Sequence, residues 1–222
     1  MDDHTGLALP APLRLVGFGI QLREWTDEDV PDLVALYDDP DIDRWTPVAS
    51  PFGTAAARDY LAAARTKRAD GHTVQLAITT DGRTALGEVL LFRSAVDVRD
   101  VELAYGVGAA HRRRGLAAGA VRLMVDHALR HTRARRALLR IEDGNRASEG
   151  VAGATGFVLT DDEPVVRTAK GREVVLRTWS HLGDGGRAAG RRQPPVRRGA
   201  GEFQGARGGE PPTHPAEGGS CR

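Results

Sequence analysis

The spacing of apolar positions changes most clearly between residues 101 and 129. Apolar or aromatic side chains first recur at every second residue, as on one face of a strand: Val101, Leu103, Tyr105 and Val107. They then recur with the spacing of one helix face: Leu116, Ala120, Leu123, Met124 and His127. The pattern therefore predicts a strand that leads through a short turn into a helix.

The rest of the chain predicts a mixed series of strands and helices. Thr26 and Asp29 form a capping-box pattern, in which side chains accept bonds from opposite amides at a helix start. Residues 39–53 hold three prolines and predict a surface loop, and Thr54 is the expected cap of the next helix. The other predicted elements are strands at 19–25, 73–79, 85–92, 137–141, 157–160 and 173–179, and helices from residue 30, at 55–68 and at 146–154.

Length and composition indicate one globular domain with an extension at each end. The 222 residues are 27% charged and 41% hydrophobic, as in ordinary globular proteins. We expect an N-terminal extension over 1–18, a single domain over 19–182 and a disordered tail over 183–222, which is rich in Gly, Pro and Arg. The tail holds seven Arg and four acidic residues, which gives it a formal charge of +3. The whole chain carries +1, so the formal charge of the remaining residues is near −2. Nucleic acid is therefore not an expected partner.

Cysteine usage and the chain start bear on the compartment. Cys221 is the one cysteine, which excludes an intrachain disulfide, a cysteine zinc cluster and a catalytic thiol in the domain. The first residues are acidic and are broken by Pro10 and Pro12, unlike a signal peptide, and no uncharged apolar run reaches about 18 residues. The seven histidines are scattered, without metal-ligand spacing. We expect a cytoplasmic monomer or homodimer with no membrane partner and no metal.

Three consecutive arginines, Arg112, Arg113 and Arg114, stand where the predicted helix begins, and Gly115 follows them. Free N–H groups give a helix N-terminus partial positive charge, so each cation there loses about 0.3–1 kcal/mol where an acid would gain it. A glycine lets a ligand approach the backbone, and first-turn amides form an anion site suited to phosphate. The segment predicts a bound phosphate group.

Residues 112–117, RRRGLA, have the form R-x-x-G-x-A, and NRASEGVAGATGF at 145–157 follows after one predicted strand. With the run LREWTDEDVPDLVALYDDPDIDRW, these motifs resemble the GNAT superfamily of acetyl-CoA-dependent acyltransferases over residues 19–179. The nearest branch is that of the ribosomal-protein N-terminal (alanine/serine) acetyltransferases. The resemblance implies an α/β (α+β) fold: a mixed, mostly antiparallel sheet of six to seven strands, splayed at a central strand and flanked by about four helices.

The resemblance also implies acetyl-CoA as co-substrate and assigns residues to it. In the superfamily the R-x-x-G-x-A loop holds the pyrophosphate through backbone amides, with the arginines adding charge, and the preceding strand pairs with the pantetheine amides. Asn145 is expected to bond the pantetheine arm, or else to cap a helix. The implied coenzyme residues are Tyr105, Gly106, Val107, Arg112, Arg113, Arg114, Gly115, Leu116, Ala117 and Asn145.

Acetyl transfer to an amine requires an uncharged nucleophile, a polarised carbonyl and a proton for the departing thiolate. Glu102, on the strand face opposite Leu103 and Tyr105, is the candidate base, or else a solvent-facing carboxylate. Many superfamily members carry a tyrosine acid at the position of Ala152. In the branch resembled here a serine at the Ser148 position takes that role, so Ser148 is the expected acid, or else an exposed helix serine, with Tyr105 a poorer substitute.

The acceptor site is expected in the 44–53 loop, the second helix and the 157–179 hairpin. Trp45 and Phe52 are candidates to line it, or else they pack in the core. An α-amine of pKa near 8 is about one-tenth neutral at pH 7, whereas a lysine near 10.4 is neutral about four times in ten thousand. The sequence predicts direct attack by a primary amine of a peptide N-terminus or small molecule, in a ternary complex. Without a positioned Glu102 base, an α-amine or another low-pKa amine is favoured over lysine.

Two other functions stay open at this point. A non-catalytic protein of the same fold that binds acyl-CoA is supported by the alanine at position 152. A dinucleotide-binding oxidoreductase is suggested by Gly106-Val107-Gly108 between a strand and a helix. The third glycine of that fingerprint is His111 here, however, and its bulk opposes close packing of the helix on the strand.

Overall fold

The computed structural model describes Leu7 and residues 9–182; residues 1–6 and 8 and the expected tail over 183–222 lie outside the described residues. Five helices occur in this part: α1 Val30–Tyr37, α2 Pro40–Trp45, α3 Thr54–Ala69, α4 Leu116–His131 and α5 Arg146–Ala154. Its strands are β1 Leu15–Gly17, β2 Ile20–Glu24, β3 Thr73–Thr79, β4 Gly87–Arg93, β5 Val101–Val107, β6 Ala137–Glu142, β7 Val158–Leu159, β8 Val165–Ala169 and β9 Arg172–His181. None of these helices is both long and apolar enough to pass through a bilayer.

The nine strands form one sheet in the order β1-β2-β3-β4-β5-β6-β9-β7, with β8 paired to β9. Every pairing among them is antiparallel except that of β5 with β6. β5 bonds to β4 along its whole length, but to β6 only from Val101 to Leu103. The sheet therefore opens after Leu103, and the predicted fold class, a mostly antiparallel sheet splayed at a central strand, is confirmed.

Helices cover both faces of this sheet, which explains why β3 is buried along nearly its whole length. Alternate side chains of a strand point to opposite faces. Leu76 of β3 accordingly belongs to the core cluster that contains Met124 of α4. Its neighbour Ala77 belongs to a second cluster, with Leu33 of α1 and Leu61 of α3. The helices α4 and α5 thus lie on one face, and α1 and α3 lie on the other.

Helix α2 lies where the three prolines predicted a surface loop, so that prediction is wrong for residues 40–45. The side chain of Asp39 accepts hydrogen bonds from the amides of Asp41 at 3.0 Å and Ile42 at 3.1 Å, which caps the helix. Pro40 occupies the first helical position, where the missing N–H of proline has no partner to lose. The pair Asp39-Pro40 therefore begins a helix, not a loop.

Two strands, β1 and β8, add to the seven that the sequence predicted. β1 joins β2 through Phe18 and Gly19, both of positive φ, at 52° and 73°. Leu13, just before β1, is 4% exposed, so the sheet and its core begin before residue 19, the expected domain start. At α3 the cap is Gly53, and Thr54, the expected cap, is the first helical residue.

Candidate active site

A cavity of about 700 Å³ opens where β5 and β6 separate. Its walls are the end of β5, the turn over 111–115, the first turn of α4, one side of α5 along its length, and α2. Ile42 of α2 belongs to the core cluster of the α1 and α3 face, whereas Val151 of α5 packs against the cluster of the opposite face. The cavity therefore passes through the opening in the sheet and can be reached by groups from both faces.

The open edge of β5 presents backbone groups to this cavity. The amide of Val101 bonds toward β6, and the amide of Gly108 bonds toward β4. Because these directions alternate along a strand, the N–H and C=O groups of Tyr105 and Val107 point to the side from which β6 has departed. The carbonyl of Val107 accepts a hydrogen bond from Arg112 Nε at 3.1 Å. The other groups can pair with the amides of an extended ligand.

The turn before α4 presents a second set of backbone donors. Arg113 and Gly115 have positive φ, at 61° and 77°, and a Cβ on Gly115 would meet nothing within 4 Å. The first hydrogen bond of α4 runs from the amide of Gly119 to the carbonyl of Gly115 at 2.9 Å. The preceding amides therefore have no acceptor within the helix. They belong to residues that line the cavity: Leu116, Ala117 and Ala118. Unbonded first-turn amides of this kind are able to bind an anion, which is the role that the sequence predicted for them.

The three arginines of the turn differ in their surroundings. Arg112 lies between two carboxylates of the α2 region, 2.5 Å from Asp39 and 2.6 Å from Asp41. Arg113 is exposed and lines the cavity. Arg114 is exposed, does not line the cavity, and lies 3.5 Å from Nδ1 of His111. Arg112 lines the cavity as well, but its guanidinium is already paired with the two carboxylates, so the geometry favours Arg113 as the arginine that is free to meet a phosphate.

Tyr105, Asn145 and Ser148 meet at the α5 side of the cavity. The side chain of Asn145 caps α5 by accepting a bond from the Ser148 amide at 3.1 Å, so its side-chain oxygen already has a partner. The hydroxyl of Tyr105 donates to the Ser148 carbonyl at 3.3 Å, and burial raises the pKa of Tyr105 to about 12. That pKa makes Tyr105 a weaker proton donor than an ordinary tyrosine. Ser148 itself is half-buried.

Glu102 is 1% exposed and does not line the cavity, so the alternative of a solvent-facing carboxylate is wrong. Its Oε1 accepts from Ser94 Oγ at 2.8 Å and from Arg140 Nε at 3.3 Å, and its Oε2 accepts from Arg167 at 2.8 Å. Both of its oxygens thus accept from donors of the protein, two of which are guanidinium groups, and the carboxylate is not presented to the cavity. The pairing of Glu102 with Arg140 and Arg167 could not be read from the sequence, because these arginines come from β6 and β8, far from Glu102 in the chain.

A second buried carboxylate, Glu88 of β4, was also missed. It is 1% exposed and accepts hydrogen bonds from Tyr37, from Tyr60 at 2.8 Å and from Gln75 at 2.6 Å. Burial raises its pKa even though these bonds favour the charged form. Glu88 faces Gly106 across the β4–β5 ladder but does not line the cavity.

The two aromatic candidates for the acceptor site separate in the structure. Trp45 lines the cavity from α2, and the guanidinium carbon of Arg44 lies 4.5 Å from the centre of its ring. Phe52 is 5% exposed and packs in the core, with its ring 4.9 Å from that of Tyr37 and 6.0 Å from that of Tyr60. Phe52 is therefore a core residue, as the alternative interpretation of the sequence proposed. Among the described residues no group of three His, Cys, Asp or Glu could hold a metal ion.

Comparison with solved structures gives the same fold. A Vibrio cholerae protein assigned as a ribosomal-protein-serine acetyltransferase has a TM-score of 0.67 and 16% identity, covering 78% of this chain and 99% of its own. Mycobacterium smegmatis RimJ in complex with CoA-disulfide has a TM-score of 0.65 and 16% identity, with 78% and 87% covered. Ribosomal-protein-S5-alanine acetyltransferase from Vibrio fischeri has a TM-score of 0.64 and 14% identity, with 78% and 97% covered. No curated protein matches the chain in sequence.

The splayed sheet and the cavity beside it define an acetyltransferase fold, and the sequence agrees. The model of the acetyltransferase (GNAT) domain matches residues 20–158. The chain belongs to the GNAT acetyltransferase family. The dinucleotide-binding alternative is thereby wrong, and the antiparallel pairing of β5 with β4 also opposes it, since that fold needs a mostly parallel sheet.

Proposed function

We propose that this protein transfers the acetyl group of acetyl-CoA to the α-amine of a peptide or to another primary amine of low pKa. The observation that carries the proposal is the meeting, in one cavity, of the open β5 edge and the unbonded first-turn amides of α4. Coenzyme A carries both features that these two sets of groups would bind, an extended pantetheine arm and a diphosphate. The relatives described above support the choice of donor, because one of them was solved with a coenzyme A disulfide.

The residues present fit coenzyme A without metal ligands. The amides of Leu116, Ala117 and Ala118 would hold the diphosphate, with Arg113 adding charge. The N–H and C=O of Tyr105 would bond the pantetheine amides as an added strand. The side-chain nitrogen of Asn145 would add one donor beside the oxygen that caps α5. Bound acetyl-CoA supplies the activated acetyl thioester.

The reaction is proposed as direct attack in a ternary complex. The amine nitrogen would form a bond to the thioester carbonyl carbon while the carbon–sulfur bond breaks, the amine losing one proton and the thiolate gaining one. The Ser148 hydroxyl would donate its proton to the departing sulfur and take up the proton that the amine releases, directly or through water. Because Glu102 is buried, pairs with Arg140 and Arg167 and does not line the cavity, the acceptor would arrive already uncharged or lose its proton to water. This requirement favours an α-amine over lysine.

Peptide amines of different pKa test the acceptor class. At pH 7 the neutral fractions of an α-amine and a lysine differ by roughly 250-fold. A lysine-free peptide with a free N-terminus should therefore turn over at least about 100-fold faster than an N-acetylated peptide with one lysine, measured as thiol release from acetyl-CoA. The N-acetylated, lysine-free peptide serves as the blank. Equal rates on the two peptides would show that the protein supplies a strong base after all.

Substitution of Ser148 tests the proton donor. Ser148→Ala should lower kcat by about 100-fold, at the low end for a general acid, and leave the Kd for coenzyme A within about twofold. The amide of residue 148 still bonds Asn145 in the variant, so the α5 cap is kept. Stopped thiol assays and calorimetry give the two quantities. An unchanged kcat would remove Ser148 from the reaction.

A non-catalytic acyl-CoA-binding protein of the same fold is the second candidate. It is favoured by Ala152, a fully buried alanine where many superfamily members carry a tyrosine acid, and by the position of Glu102, which is ion-paired and outside the cavity. Tight binding of acetyl-CoA by calorimetry, with no thiol release across a panel of amines, would establish this candidate in place of the transferase.

A further inference from the structure

Helix α2 forms the acceptor-side wall of the cavity, and it is only six residues long. Ile42 packs over Gly106 of β5: a Cβ added to Gly106 would lie 3.3 Å from Ile42 Cδ1. Trp45 lines the same wall one turn later. The position of α2 therefore decides how closely the open edge of β5 is covered. A helix this short needs contacts outside itself to hold that position.

Arg112 supplies such contacts from the coenzyme side. Its guanidinium donates to Asp39 at 2.5 Å, to Asp41 at 2.6 Å and, through Nε, to the Val107 carbonyl at 3.1 Å. One side chain thus joins the end of β5 to the first turn of α2. Asp39 has a second function, because the same oxygen caps α2 through the amide of Ile42.

The pKa of Asp39 is consistent with an ion pair between this carboxylate and Arg112. Its side chain is 9% exposed, and burial by itself raises the pKa of a carboxyl group. The hydrogen bond from Arg112 and those from the amides of Ile42 and Asp41 outweigh burial, so the pKa of Asp39 lies below its usual value. The charged form is therefore the one that the folded protein holds.

The other end of α2 is tied to the β8–β9 hairpin. Lys170, in the turn between these strands, lies 2.5 Å from the carboxylate of Asp43. Arg172 donates to the carbonyl of Arg44 at 3.1 Å and also bonds Glu142 of β6 at 2.9 and 3.0 Å. These ties come from a segment far from the coenzyme turn. Arg112 is thus the link between α2 and the turn that is proposed to hold the diphosphate.

We propose that Arg112 is a positioning residue that fastens the acceptor wall to the coenzyme turn, so that coenzyme binding and placement of α2 are coupled. It does not serve as a phosphate ligand. This inference rests on the proposed function for its coenzyme part. The bound diphosphate would hold residues 113–117 in place and would thereby also hold the adjacent backbone of Arg112. The Arg112 guanidinium would then be held where it bonds Asp39 and Asp41 at the start of α2. By thermodynamic reciprocity, a well-placed α2 would favour the coenzyme in turn.

Three variants separate this role from phosphate binding. Arg112→Gln removes the tie, and Arg113→Gln removes the neighbouring arginine, which is exposed and also lines the cavity. Asp39→Asn removes the charge of Asp39 but keeps an oxygen that can cap α2, since asparagine caps as well as aspartate. The measurements are hydrogen exchange of residues 40–46, with and without saturating coenzyme A, and calorimetry with coenzyme A. Circular dichroism confirms that each variant is folded.

Without coenzyme, Arg112→Gln and Asp39→Asn should each speed exchange in residues 40–46 by up to about tenfold, as expected for losing an ion pair, while Arg113→Gln should not. Saturating coenzyme A should slow exchange there in the wild type and in Arg113→Gln, but not in Arg112→Gln. The Kd for coenzyme A should rise roughly tenfold in Arg113→Gln and less than about threefold in Arg112→Gln.

Two results would overturn the inference: wild-type exchange in Arg112→Gln without coenzyme, or a loss of coenzyme affinity in Arg112→Gln as large as that in Arg113→Gln. Failure of the proposed function gives a different pattern, in which the wild type does not bind coenzyme A at all. In that case the exchange of the free protein still decides whether Arg112 holds α2.

Discussion

Ala117→Asp is expected to abolish binding of coenzyme A and to leave the protein folded. Ala117 lies in the first turn of α4 and lines the cavity where the diphosphate is proposed to lie. A carboxylate there would fill the space and repel the ligand, and we expect a Kd at least about 100-fold higher, equivalent to about 2.7 kcal/mol. The helix itself should tolerate the change, because an acid in the first turn gains about 0.3–1 kcal/mol from the helix dipole, which offsets its lower helix propensity.

The matched control is Arg114→Gln. Arg114 lies in the turn just before α4 and does not line the cavity. It should leave the Kd within about threefold of the wild type, as expected for an exposed charge at some distance from the ligand. Calorimetry measures both constants, and thermal unfolding checks that the variants are folded. If Ala117→Asp bound coenzyme A normally, the diphosphate would not lie at the start of α4, and the proposed function would lose its main support.

Glu102→Ala is expected to be strongly destabilising. The change leaves the Arg140 guanidinium, whose side chain is 6% exposed, without its carboxylate. Breaking one partner of a buried ion pair costs about 3–5 kcal/mol, because the remaining charge stays buried. In a domain of this size that corresponds to a fall of roughly 6–20 °C in the unfolding temperature. Denaturant and thermal unfolding measure the loss.

Asp27→Ala is the comparison variant for this experiment. Asp27 pairs with Arg65 at 2.7 Å, but the two side chains are 82% and 52% exposed. An exposed pair contributes about 0–1 kcal/mol, so the loss of stability should be small. If Glu102 were instead the general base, Glu102→Ala would leave stability nearly unchanged. It would lower kcat and abolish the acidic limb of the pH profile of the reaction. That outcome would restore Glu102 as the catalytic base.

The course of the chain was predictable wherever neighbouring residues decide it. The strand at 101–107, the helix at 146–154 and the paired strands β3 and β4 follow from the period of apolar positions. Helix α2 was missed because its apolar face, with Ile42, is too short to show a period, and its stability depends on Asp39 and on contacts with distant segments. β1 and β8 were missed because each is short and becomes a strand by pairing with a neighbour.

The sequence by itself determined the family and the splayed sheet, because these depend on residues that are contiguous or regularly spaced. Only the tertiary structure decided what the charged side chains do. It buried Glu102 between Arg140 and Arg167, and it directed Arg112 toward the carboxylates of α2. The physical reason is that a charge takes its partners and its hydration from residues brought together by folding, such as Asp43 and Lys170, which are 127 positions apart in the chain.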